Sequence, residues 1–143
     1  MLDGARRRRI TLPGRGIELA VLDWGGKGPL ALVHHANGFC GAVYAPIVHP
    51  LRDTHRIVLY DARGHGDSTQ PPPGDAYRWT VFPEDLLALA EVLIAEGPQR
   101  SVALGIGHSF GGTATAVAAA ARPELFERIV LLDPVLHPRP RSP

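Results

Sequence analysis

Short runs of apolar residues alternate along this chain with segments of helical periodicity. Residues 10–12 and 17–24 flank a turn rich in glycine and proline, and this pattern predicts an antiparallel hairpin. Four later runs are apolar without polar alternation, which is typical of strands covered on both faces of a parallel sheet. These runs occupy residues 30–33, 57–60, 102–106 and 129–132.

Two longer segments between these runs predict helices. Apolar side chains in residues 83–96 are spaced by three and four, Pro83 suits a first helical turn, and Gly97 suits a stop. Residues 113–121 are rich in alanine, and such small side chains let a helix lie close against a sheet. A short or kinked helix is expected near Pro46. The alternation predicts an α/β fold, with a doubly wound, mostly parallel sheet behind the antiparallel N-terminal hairpin.

Composition narrows the class of protein. A chain of 143 residues fits one domain, and 45% hydrophobic residues with a mean hydropathy near zero indicate a globular protein. A net charge of +1 gives no preference for nucleic acid or anionic lipid. The single cysteine, Cys40, excludes an internal disulfide, and no apolar run approaches the ~20 residues of a membrane span. We therefore expect a cytoplasmic protein that binds a small-molecule substrate and neither nucleic acid nor membrane.

The pentapeptide Gly107-His108-Ser109-Phe110-Gly111 follows a predicted strand and opens the alanine-rich helix. Gly-x-Ser-x-Gly in this context is the pattern of a nucleophile elbow, a turn so sharp that the serine is held in a strained backbone conformation. The flanking glycines are needed because a Cβ there would collide with a neighbouring strand or helix. Ser109 is therefore the candidate nucleophile.

Three further segments follow predicted strands in the same way, at residues 34–41, 60–68 and 131–134. Together with the pentapeptide they make the chain, from about residue 10 to residue 136, resemble the α/β-hydrolase fold superfamily. The resemblance implies a serine hydrolase acting on an ester or related acyl bond. It also implies an oxyanion hole formed by the backbone N–H groups of Phe39 and Phe110. Asp133 occupies a position where some members place their catalytic acid.

In this superfamily the catalytic histidine normally follows a later strand than the six predicted here. The resemblance therefore implies that residues 1–143 form a single partial domain, truncated after about strand 6 and without a cap domain. Residues 1–9 are expected to be a basic flexible N-terminus, and residues 137–143 a disordered tail. His137 is a poor candidate for the base because no predicted element holds it. We expect this chain to be inactive or incomplete as a catalyst.

The remaining polar candidates have structural interpretations. His108 precedes the nucleophile and is interpreted as a packing or pocket residue. Asp61 and Arg63 are interpreted as structural residues that link neighbouring loops. His65 beside them is not expected to be catalytic. The histidines show no metal-like spacing, so neither a metal nor a cofactor is expected.

Two other classes of function stay open at this point. One is a non-catalytic small-molecule-binding or interaction module on the same fold. The other is a dinucleotide-binding, Rossmann-like domain, which would use Gly105, Gly107 and Gly111 at the phosphates and Asp133 at the ribose. Truncation after strand 6 would leave residues 129–132 as an apolar edge strand, and such an edge favours self-association.

Overall fold

The computed structural model describes residues 2–136 and contains a six-stranded sheet of spatial order β1-β2-β4-β3-β5-β6. The pairings β1–β2 and β2–β4 are antiparallel, and the other three are parallel. This confirms the mostly parallel sheet behind an N-terminal hairpin. The strands are β1 (Arg6–Thr11), β2 (Glu18–Asp23), β3 (Leu30–His34), β4 (Arg56–Tyr60), β5 (Val102–His108) and β6 (Ile129–Leu132).

Helices cover both faces of this sheet. On one face lies α1 (Ala45–Val48), flanked by short 3-10 turns; on the other lie α2 (Val81–Ala95) and α3 (Phe110–Ala121). The helix expected near Pro46 is present, and this proline occupies its first turn, where a missing N–H costs no hydrogen bond. The doubly wound arrangement is therefore confirmed.

The central strands supply both halves of the hydrophobic core. In β3, Leu30 and Leu32 face α2 and α3, whereas Ala31 and Val33 face α1. Successive side chains point to opposite faces of a strand, so a sheet covered on both faces requires a continuously apolar run. The apolar stripe of α2 closes the first half of the core with Leu86, Leu89, Ala90 and Leu93, all buried.

The N-terminus differs from the flexible basic end expected for residues 1–9. The four arginines at positions 6–9 begin β1 and pair in antiparallel register with residues 20–23 of β2. Backbone pairing does not depend on side-chain type, and long charged side chains are tolerated on an edge strand because they extend into solvent. The prediction of flexibility is therefore wrong for this segment. The tail expected at residues 137–143 lies outside the described residues.

Ion pairs attach the hairpin to the rest of the fold. Buried Asp23 accepts hydrogen bonds from Arg56 at 2.7 Å and from Arg8 at 2.8 Å, and both arginines also contact Glu96 beyond the end of α2. Burial raises the pKa of Asp23, but the hydrogen bonds from Arg56, Gly25 and Arg8 outweigh it and hold the pKa below its ordinary value. The network keeps the edge strand in place.

Candidate active site

Ser109 lies at the sharp turn between β5 and α3. Its φ of 50° and ψ of −118° lie outside the conformations that a residue with a side chain normally adopts. Its N–H donates to the carbonyl of Leu132 on the neighbouring strand at 2.8 Å, and its own carbonyl accepts the N–H of Thr113 at 3.0 Å. Such strain persists only where the surroundings over-determine it, and these bonds fix both sides of the residue.

The glycines on either side of Ser109 have no room for a side chain. A Cβ on Gly107 would come within 3.0 Å of Gly111 and Thr115, and one on Gly111 would come equally close to the carbonyl oxygens of His34 and His35. Real Cβ atoms do not approach other atoms so closely. The collision expected from the sequence is confirmed, and the missing side chains let β3, β5 and α3 meet at this point.

The two predicted oxyanion donors differ in their present bonding. The N–H of Phe110 is the first of α3, so it has no acceptor within the helix, and the helix dipole adds positive charge there. The N–H of Phe39 donates instead to the carbonyl of Ala36 at 3.1 Å. It closes a turn whose third residue, Gly38, has the positive φ (77°) that a type II turn requires. Phe39 must share or release this bond before it can bind an oxyanion.

Tyr44 is not among the residues predicted from the sequence, and it connects the loop after β3 to the elbow. Its hydroxyl accepts the N–H of Ala36 at 3.0 Å and forms a hydrogen bond of 2.6 Å with Nδ1 of His108. Burial raises the pKa of Tyr44, so the hydroxyl keeps its proton at neutral pH. His108 is thus held by packing and by this hydrogen bond, in agreement with its predicted role. Local spacing gives no signal for Tyr44, because only the fold brings it beside β5.

Two buried histidines fix the backbone that leads into the loop after β3, which carries the candidate donor Phe39. His35 donates from Nδ1 to the carbonyl of Ala36 at 2.7 Å and accepts the N–H of Ala62 at Nε2, 2.9 Å away. His34 donates from Nδ1 to the carbonyl of His35 at 3.0 Å. Burial lowers the pKa of His35 and lowers that of His34 to about 3. Both rings are therefore neutral at physiological pH and serve as structural hydrogen-bonding groups.

The loop after β4 is tied down by Asp61 and Arg63, as predicted. The carboxylate of Asp61 accepts the N–H groups of Gly41 at 2.7 Å and Asp67 at 2.9 Å. Arg63 makes two hydrogen bonds of 2.6 and 2.7 Å to the buried carboxylate of Asp85 in α2. These contacts hold the loops after β3 and β4 against each other at the carboxyl edge of the sheet.

Asp133 follows β6, the strand beside the elbow. His108 and Leu132 are paired at the ends of two parallel strands, so Ser109 and Asp133 directly follow these strands side by side. Asp133 is exposed and has a φ of 46°; within residues 2–136, it and Ser109 are the only non-glycine residues with positive φ. The structure therefore brings the candidate acid and the candidate nucleophile to the same edge of the sheet.

No histidine within residues 2–136 makes a side-chain hydrogen bond to Ser109, the candidate nucleophile. His108 binds Tyr44, and His65 lies 3.0 Å from the carbonyl of Arg63 and 3.2 Å from the side-chain oxygen of Asn37. His137, the weak candidate for the base, lies outside the described residues. The candidate site of the described chain therefore comprises a candidate nucleophile, two candidate oxyanion donors and a candidate acid.

Aromatic side chains surround the elbow in a way that the sequence did not reveal. The ring of Phe110 is buried, with its centroid 4.6 Å from that of Phe82 and 5.2 Å from that of Trp79, which is 54% exposed. Phe39 is 48% exposed and lies 6.3 Å from the ring of His108. Phe110 is therefore a core residue, and Phe39 is a surface residue.

Comparison with known proteins places this arrangement in a family. A family model described as alpha/beta hydrolase fold matches residues 29–142. The chain belongs to this family. Its elbow follows β5, a late strand next to the central β3, whereas a Rossmann-like domain carries its glycine-rich turn after its first strand. The dinucleotide-binding alternative is therefore wrong.

Curated relatives of this α/β-hydrolase include enzymes that act on different substrates. The chain is 33% identical over 108 residues to 2-(acetamidomethylene)succinate hydrolase of Mesorhizobium japonicum, covering 76% of this chain and 36% of the relative. It is 35% identical over 121 residues to Lipase LipV of Mycobacterium tuberculosis, covering 84% and 43%. The chain therefore spans less than half the length of these relatives.

Solved structures show the same fold for this α/β-hydrolase. The epoxide hydrolase VrEH1 from Vigna radiata matches 99% of the chain and 42% of its own length, with a TM-score of 0.86 at 23% identity. At this identity the likeness shows the fold alone. Across residues 2–136, no helix has the length and apolar character needed to cross a membrane.

Proposed function

We propose that this α/β-hydrolase is a serine hydrolase that cleaves a carboxylic ester or a related acyl bond, with Ser109 as its nucleophile. The observation that carries the proposal is the backbone of Ser109, at φ 50° and ψ −118°, between two glycines. Glycine would adopt this conformation without strain. A strained serine in its place is a feature of functional sites, because the strain holds the hydroxyl at the carboxyl end of the sheet.

The proposed reaction forms a bond between Ser109 Oγ and the acyl carbon, and the carbonyl electron pair moves onto oxygen. The N–H of Phe110 supports that oxyanion, and one such donor contributes about 2.7–4 kcal/mol to lowering the barrier. The alcohol then leaves, and water hydrolyses the acyl–enzyme. The hydroxyl proton must pass to a base, which Asp133 would orient. Since no histidine within residues 2–136 hydrogen-bonds Ser109, we expect the 143-residue chain alone to hydrolyse p-nitrophenyl esters at the background rate.

A fluorophosphonate probe with added imidazole tests the nucleophile without requiring the protein's own base. Imidazole in solution can accept the hydroxyl proton, so the labelling of Ser109 should rise with imidazole concentration. Ser109→Ala should abolish labelling. Ser101→Ala is the matched control, because this serine hydrogen-bonds Glu127 at 2.6 Å, away from the elbow. Equal labelling of the wild type and Ser109→Ala would refute the proposal.

A non-catalytic binding module on the same fold is the second candidate. It is favoured by the lack, within residues 2–136, of a histidine bonded to Ser109. Thermal shift with small esters separates the two. A binding module gives an unchanged shift in Ser109→Ala and no imidazole-dependent labelling of the wild type, whereas a hydrolase gives labelling that depends on Ser109.

A further inference from the structure

A surface groove runs between the start of α2 and the outer side of α3. Its cavity volume is about 330 Å³. The lining is almost entirely apolar, and two of its side chains are half exposed: Trp79 (54%) and Val117 (50%). The lining residues are Trp79, Thr80, Pro83, Thr113, Ala114 and Val117. Large apolar side chains left open in a concave surface mark a binding site more often than they mark a monomer's ordinary surface.

This groove begins next to the candidate nucleophile. Ser109, Thr113 and Val117 are spaced by four residues, so they follow one side of α3. The hydroxyl of Thr113 lies 2.6 Å from the carbonyl of Val135 and 3.4 Å from that of Ser109, so it is turned toward the backbone. The ring of Trp79 lies 5.2 Å from that of Phe110, the residue after the nucleophile. The lining of the groove therefore begins one helical turn from Ser109.

We propose that this groove binds the unbranched aliphatic arm of a substrate whose carbonyl is held at Ser109. The inference rests on the proposed function. Charged side chains are absent from the lining, which disfavours a sugar, a nucleotide or an anionic group. The volume is close to the lower limit of about 300 Å³ for small-ligand pockets, which favours a short or medium chain over a polycyclic group.

Fluorescence of Trp79 measures occupation of the groove directly. The chain has two tryptophans, so Trp24→Phe leaves Trp79 as the reporter. Titration with bromoalkanols of four to ten carbons should quench this emission saturably. Affinity should rise by up to about fourfold for each added methylene until the groove is filled. If Trp24→Phe fails to fold, Trp79→Phe in the otherwise native chain should show the complementary loss of quenching.

Two valines provide a matched pair of variants. Val117→Glu places a charge in the groove and should weaken binding by at least about tenfold. Val43, 54% exposed on the other face of the sheet, should tolerate the same change without loss. Equal effects of the two variants, or quenching that is never saturable, would overturn the proposal. Emission that depends on protein concentration and not on the alcohol would also overturn it, because the groove would then be a contact between copies.

The test of the groove can fail without the test of the proposed function failing, and the reverse also holds. Ser109→Ala should bind the bromoalkanols as the wild type does, because the groove does not use the hydroxyl. Saturable binding without fluorophosphonate labelling would count against the nucleophile and leave the groove as a binding site. Labelling without saturable binding would count against the groove alone.

Discussion

The two ends of the sheet are held together by different interactions. At the hairpin end, the buried carboxylate of Asp23 lies between Arg8 and Arg56. At the elbow end, Gly107 and Gly111 let the backbones of β3, β5 and α3 approach each other without intervening side chains. The strength of an ion pair depends on pH, and its side chains can change conformation. Close backbone contacts do not titrate and leave little room for movement. The difference shows that the end carrying the candidate nucleophile is the one whose geometry is fixed most rigidly.

The largest loss of stability is expected when a side chain is added to a glycine of the elbow. Gly111→Ala would bring a Cβ within 3.0 Å of the carbonyl oxygens of His34 and His35, which belong to the sheet and cannot move away cheaply. We expect a loss of about 4 kcal/mol or more in the free energy of unfolding, measured by urea denaturation. Gly25→Ala is the control: it has a φ of 68° and open space, so it should cost only about 1–2 kcal/mol. Similar losses for the two variants would contradict the comparison.

The hairpin end should be weakened next most strongly by Arg56→Met. This change removes the guanidinium nearest to buried Asp23 and leaves Arg8 as its remaining partner. Breaking a buried pair in this way typically costs about 3–5 kcal/mol, and the remaining arginine places the expected loss near 3 kcal/mol. The double variant Arg56→Met, Asp23→Asn should recover part of that loss. Arg78→Ala, in an exposed pair, should leave the denaturation midpoint unchanged.

Low pH should weaken the ion pairs at the hairpin end and leave the backbone contacts at the elbow end unchanged. The pKa values of Asp23 and Glu96 are both lowered in the folded chain, by arginine hydrogen bonds that outweigh the effect of burial. Their contribution is therefore complete above the unfolded values of about 4 and is lost as the pH falls through the lower folded values. Urea midpoints at pH 7, 5 and 3 should fall mainly in the last interval. Asp23→Asn should reduce that fall, and an equal fall in wild type and variant would contradict the assignment.

The smallest effect on stability, but a clear effect on association, is expected at the β6 edge. Val130 is 42% exposed on this strand, whereas the opposite edge, β1, carries arginines. We propose that the chain self-associates through β6, and Val130→Lys should shift it toward monomer in size-exclusion chromatography with light scattering. Val43→Lys, at an exposed valine away from both edges, serves as the control. Association that persists in Val130→Lys would rule out this edge.

The parts of the fold that the sequence predicted are those encoded by local patterns. Unbroken apolar runs indicated the buried strands, and Gly-x-Ser-x-Gly indicated the strained turn at Ser109. The start of β1 was missed because an edge strand forms by backbone pairing, which four arginines do not prevent. Tyr44 and Trp79 were missed because their contacts join segments that are far apart in the chain. The bond from Phe39 to Ala36 depends on a turn geometry that the motif alone does not specify.

The hydrogen bond from Tyr44 to His108 has a consequence for measurement. Nδ1 of His108 lies 2.6 Å from the Tyr44 hydroxyl, so the two side chains form a hydrogen bond. The same hydroxyl accepts the N–H of Ala36, so the surroundings of the His108 ring depend on the position of the loop that begins at Ala36. The ring-nitrogen resonances of His108 are therefore a built-in spectroscopic reporter. We expect these resonances to change if the loop moves away from the elbow.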